Sequence, residues 1–97
     1  MHHLPPDIVR DIGDLICRLE ALGFNPQASA YDPQVMGNWY ADFSGSKRSV
    51  RIIKDRSQYF VEGDRKELEP FGLWRAFNDP RELEKKMISW LAEDTRP

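Results

Sequence analysis

The sequence predicts an α+β domain, a three- to four-stranded antiparallel meander sheet with an N-terminal and a C-terminal helix packed on one face. Three observations predict it. Ile8, Ile12, Leu15, Leu19 and Leu22 recur at spacings of three and four, the mark of an amphipathic helix with one buried stripe. From Trp39 to Glu62, aromatic and β-branched residues alternate with polar ones between turn signals, as half-buried strands require. Leu83, Met87, Trp90 and Leu91 then form a second helical stripe. An alternating sheet offers one apolar side, so both stripes need the same one.

The first helix is expected near residues 6–22, after Pro5 and Pro6; Gly23 supplies the left-handed residue that closes a helix, and Phe24 folds back on the last turn. Residues 25–37 hold two prolines, an Asn and an Asp with little periodicity, and read as a connection across the end of the sheet, anchored by Tyr31 and Val35. Strands are expected at about 38–43, 49–54 and 59–63. In the first of these Trp39, Ala41 and Phe43 alternate with Tyr40 and Asp42, and the segment from Ser44 to Arg48, with a Gly and two Ser, suits an antiparallel turn. A turn at Arg56 and Ser57 sets Lys54 against Tyr59, Ile53 against Phe60, Ile52 against Val61 and Arg51 against Glu62. Val50, Ile52 and Val61 then point to one side, and Ile53 and Phe60 to the other beside Arg51 and Glu62.

Gly63 and Asp64 make a turn, and residues 65–69 read as a short fourth strand or edge segment that Pro70 stops. Phe71, Leu73, Trp74 and Phe77 are too many large apolar groups for a bare loop; the segment should enter the core or cover a sheet edge as a short helical turn. The second helix is expected over residues 80–93, with Asp79 as N-cap, Pro80 at the first helical position and Glu82 placed to complete a capping box.

The 97 residues make one domain, too short for a core plus a separate catalytic lobe. No apolar run approaches the roughly 20 residues that cross a bilayer, and the N-terminus lacks a basic region followed by an apolar stretch, so a soluble, cytoplasmic chain is expected. A single cysteine agrees with that compartment. The net charge of −2 is unevenly spread: residues 1–45 carry six acids and two bases, residues 46–66 seven bases and three acids, and residues 67–97 seven acids and five bases. A basic hairpin with acidic flanks reads first as self-complementary surface.

Little here suggests an enzyme. Outside His2 and His3, which are native or the remnant of a tag, the chain has no histidine, so a nucleophile with an imidazole base cannot be assembled from its body. Cys17, between Ile16 and Leu19 in sequence, reads as a semi-buried packing residue. There is no zinc spacing and no glycine-rich phosphate loop, and neither a metal nor another cofactor is expected. Helix, three strands, helix is also the order of double-stranded-RNA-binding domains. Those place a lysine cluster at the start of the second helix, whereas this one opens Asp79, Pro80, Arg81, Glu82, which counts against nucleic acid; a double-stranded-RNA-binding-like module using the basic hairpin and a structural or regulatory interaction domain stand as the alternatives.

The run from Gly37 to Phe43, then Arg51 to Val61, then Phe71-Gly72-Leu73-Trp74, resembles small bacterial proteins of the immunity type, often encoded beside secreted or contact-delivered toxins. The resemblance covers residues 37–91 and rests on aromatic placement and element order. It implies a non-enzymatic inhibitor that binds a cognate toxin domain, a nuclease among the options, in the cytoplasm of the producing cell. Nuclease clefts are basic, so an acidic surface would speed association. Asp7, Asp11 and Asp14 along one edge of the first helix, with neighbouring Glu20, are the partner-binding residues this implies.

Overall fold

Arg56 and Ser57 both hold positive φ, 53° and 64°, the mirror-image turn whose twist matches that of the strands it joins. In this computed structural model, which describes residues 4–32 and 37–94 and all their side chains except those of Tyr31, Asp32 and Asp94, that turn fixes the register of the sheet. Strands β3 (Ser49–Asp55) and β4 (Gln58–Glu62) set Lys54 opposite Tyr59, Ile53 opposite Phe60, Ile52 opposite Val61 and Arg51 opposite Glu62, as expected. Strand β2 (Asn38–Ser44) pairs antiparallel with β3, Ala41 facing Ile52 and Phe43 facing Val50.

Alternation does the rest. Every second residue of β2 is buried, namely Trp39, Ala41 and Phe43, and these share a face with Val50, Ile52, Tyr59 and Val61. Helix α1 (Pro6–Ala21) lays Ile8, Ile12, Leu15 and Leu19 on that face, and the C-terminal helix (Pro80–Asp94) adds Leu83, Met87, Trp90 and Leu91, all in one core cluster. Each of the larger groups contributes about 1.5–3 kcal/mol of transfer free energy, before chain entropy is subtracted. The two helices touch each other, tied at the surface by Arg18 Nη1 and Glu84 Oε2 at 3.1 Å.

The helix ends follow their local chemistry. Gly23, at φ 89°, closes α1, and the N–H of Phe24 returns to the carbonyl of Leu19 at 2.9 Å, which brings Phe24 to 2% exposure. Phe24 in turn dictates Gly45 in the β2–β3 connection, where a Cβ would lie 2.8 Å from its ring. Asp79 caps the last helix by accepting from the N–H of Arg81 at 2.9 Å.

Three segments depart from expectation. Asn25–Asp32 is a strand, β1, rather than a connection; it pairs antiparallel with β2 and completes a four-stranded meander in the order β1-β2-β3-β4. It pairs through backbone at a sheet edge, with a bulge between Pro26 and Ala28, so it needs no β-branched side chains. Residues 65–69 are not a strand. Arg65–Leu68 forms a single-turn helix, α2, which makes the C-terminal helix α3; Asp64 caps α2 by accepting from the N–H of Lys66 at 3.1 Å, and a 3₁₀ turn, Glu69–Phe71, follows. Finally, the segment after Gly72 covers an edge without a helical turn of its own. Phe77 and Tyr59 exchange two backbone hydrogen bonds of 2.8 and 2.7 Å along β4. Leu73 and Phe77 are buried, whereas Trp74 is 49% exposed. Val35, expected as an anchor, lies outside the described residues.

The turn generates a prediction. Ser57 carries a side chain where left-handed backbone favours glycine, so Ser57→Gly should raise stability by about 0.5–1 kcal/mol, read as a higher urea midpoint at unchanged slope. A lower midpoint would mean that the unfolded chain's added freedom outweighs relief of the turn.

Candidate protein-binding surfaces

The four acids expected to face a partner do not form one patch. Asp11 turns inward: its Oδ2 accepts from the indole N–H of Trp39 at 3.0 Å and from Lys54 Nζ at 2.9 Å, and its side chain is 11% exposed. Lys54 follows Val50 and Ile52 by parity on the core-facing side of β3, where the apolar layer ends. An ammonium there needs a counterion, and Asp11 supplies it from the helix above. The ammonium also lies 5.6 Å from the centre of the Tyr59 ring. Directly after Asp11 the helix breaks its regular geometry at Ile12, φ −129° and ψ 29°.

Burial pushes the Asp11 carboxyl up, but the Trp39 and Lys54 hydrogen bonds outweigh it and hold the group below the usual carboxylate range. Lys54 shows the reciprocal effect: burial pushes its ammonium down, and the bond to Asp11 raises it above the ordinary lysine value. Asp7 is partly exposed and pairs with Arg10 Nη1 at 3.0 Å. Asp14 and Glu20 are exposed, but six helical residues separate them, which places Glu20 roughly 120° around α1 from Asp14.

The basic hairpin is largely neutralised from within. Arg51 donates Nε and Nη2 to the two carboxylate oxygens of Asp42, at 2.7 and 3.0 Å, and lies 4.2 Å over the Tyr40 ring; this bond to Asp42 raises its guanidinium still further. Arg48 pairs with Glu67 and stacks on Trp90, Lys54 is held by Asp11, and Arg65 meets Glu69 at 2.7 Å. Four of the seven bases in residues 46–66 are thus matched by carboxylates, all four of them from outside that segment. A phosphate backbone would have to break these pairs to use them.

The opposite face of the sheet is built differently. The registers align Ala30, Tyr40, Ile53 and Phe60 in one row across all four strands. Glu62, Arg51 and Asp42 run along one side of that row, and Asp55 with Asn38 along the other, Asn38 Nδ2 donating to Asp55 Oδ1 at 3.1 Å. Both helices contribute their stripes to the other side, and Tyr40, Ile53 and Phe60 are half-buried yet lie outside the core cluster. Beyond β4 an open depression of about 410 Å³ separates Phe60 from the exposed Trp74.

Among the described residues no three of His, Cys, Asp and Glu gather where they could hold a metal ion. Asp42 is bound to Arg51 and Asp64 to the start of α2. Cys17 is exposed rather than semi-buried, because it falls on the outer side of α1 between the inward Ile16 and Leu19. No helix of the described residues is long and apolar enough to cross a membrane. Comparison with protein-family models, curated proteins and solved structures returns no match for this chain.

The inward carboxylate gives a pH signature. In the folded chain Asp11 binds its proton less readily than in the unfolded chain, so its contribution is complete above about pH 4 and is lost as pH falls through the lower folded value. Asp11→Asn should flatten the acid limb of stability against pH, while Asp11→Ala, which strands the Trp39 N–H and Lys54, should cost about 1–3 kcal/mol at neutral pH. Chemical denaturation from pH 2.5 to 7 would check both, and an unchanged acid limb in Asp11→Asn would disprove the linkage.

Proposed function

We propose that this chain is a non-enzymatic protein-binding protein of immunity type, which neutralises a cognate toxin domain by direct binding in the cytoplasm of the producing cell. The observation that supports it best is the outer sheet face, where an apolar row is bordered by charged side chains and, among the described residues, no helix lies above it. Aromatic anchors with a polar surround are what protein interfaces are made of.

Of the acids on α1, Asp7, Asp14 and Glu20 stand where they can attract a basic partner such as a nuclease cleft, while Asp11 acts by holding the helix in place. Exposed carboxylates of this kind chiefly raise the association rate, and salt screens them. The double-stranded-RNA reading loses support because four of the seven cations of the hairpin segment are already paired with carboxylates and because an extra strand, β1, and the helix α2 interrupt the element order it relied on.

Co-expression with a toxin-like reading frame, where one lies beside its gene, should restore growth of a sensitive cell and yield a complex on size exclusion. Reversing Asp7, Asp14 and Glu20 together to Lys should slow association several-fold at low salt. Failure of every neighbouring frame to be neutralised or bound would defeat the immunity reading; unchanged association kinetics would remove these three acids from the encounter.

A further inference from the structure

The charges beside the apolar row say what kind of surface complements it. On this face of the described sheet Arg51 is the one cation, and its Nε and Nη2 are committed to Asp42. Glu62, on one side of the row, is 61% exposed and comes no nearer than 3.7 Å to that same arginine. Asp55, on the other side, bonds only to the neutral amide of Asn38 among the described partners. Tyr40, Ile53 and Phe60 therefore run between two exposed carboxylates, Asp55 with no cation paired to it and Glu62 sharing Arg51 with Asp42, and the exposed Trp74 stands across the depression beyond Phe60. At about 4.8 Å per strand the four-residue row is roughly 14 Å long, the span of one side of a small interface. Arg75, next to Trp74, is turned onto the Phe77 ring at 4.6 Å.

We propose that this face is the docking surface for a cationic protein partner, one that sets aliphatic or aromatic side chains against Tyr40, Ile53, Phe60 and Trp74 and lysine or arginine against Asp55 and Glu62. The inference rests on the protein-binding reading above and deepens it by naming the surface and its complement. Tyr and Trp supply large contact area at small entropic cost, and flanking carboxylates reject partners of their own sign. A second copy of the chain is disfavoured on the same ground, because stacking the face on itself brings Asp55 and Glu62 against like charges. Phosphate backbones meet the same repulsion.

The test pans the full chain against a phage-displayed library of random peptides. The expected consensus combines an aromatic or aliphatic residue with lysine or arginine. A synthetic peptide of that consensus should bind more weakly as salt rises, and should move the amide resonances of Tyr40, Ile53 and Phe60 rather than those of α1. Ile53→Asp should weaken it by about tenfold or more. Asp55→Lys with Glu62→Lys, which leaves the apolar row intact, should do the same, and Glu93→Lys, on the exposed side of α3, should leave it unchanged. A neutral or acidic consensus, resonance shifts confined to α1, or peptide binding that survives both face variants would overturn the proposal. If a neighbouring toxin binds the wild type and both face variants equally, the immunity reading stands and this docking face falls.

Discussion

One constraint governs this molecule: a sheet whose side chains alternate has one face that wants to be dry, and both helices carry a stripe that wants the same thing. Trp39, Ala41 and Phe43 set that face on β2, and Val50, Ile52, Tyr59 and Val61 continue it on β3 and β4. The stripes of α1 and α3 have no other surface on which to bury, so they lie side by side on it and touch. At the rim, parity delivers Lys54 to the core side, where an unpaired ammonium would be costly. Asp11 resolves that conflict, and the indole of Trp39 joins the same carboxylate. A residue that looks like free surface charge in the sequence is in this way a fastening between helix and sheet.

Much of this was legible in the chain. The two-residue turn at Arg56 and Ser57, the four cross-strand pairs it sets, the closure of α1 at Gly23 and the capping of α3 by Asp79 all follow from local chemistry that acts within a few residues. β1 was not legible, because an edge strand can be held by backbone alone and its Pro26, Ala28, Ser29 and Ala30 carry no strand propensity. The signal for α2 was present in Asp64 followed three residues later by Glu67, a capping pattern, but one apolar residue, Leu68, gives it no periodicity. The inward turn of Asp11 has no such signal in the chain. A helical stripe fixes which residues face the core on average, and neither the break at Ile12 nor the reach of Lys54 from another element is written in that spacing.

The surface repeats this lesson for charge. Segment totals suggested a basic hairpin set against acidic flanks, and folding brings the two together: Asp11, Asp42, Glu67 and Glu69 each take up a cation of the hairpin. Exposed carboxylates remain both on the open sheet face, at Asp55 and Glu62, and on α1, at Asp14 and Glu20.

The hydrogen bonds between Phe77 and Tyr59 have a further effect on the solution behaviour of this sheet. They occupy the Tyr59 end of the outer margin of β4 with the chain's own backbone, so a strand arriving there would first have to displace Phe77. β1 ends the sheet on the other side, and an edge held by backbone alone is where a strand from another molecule can add without displacing any part of the chain described at β4.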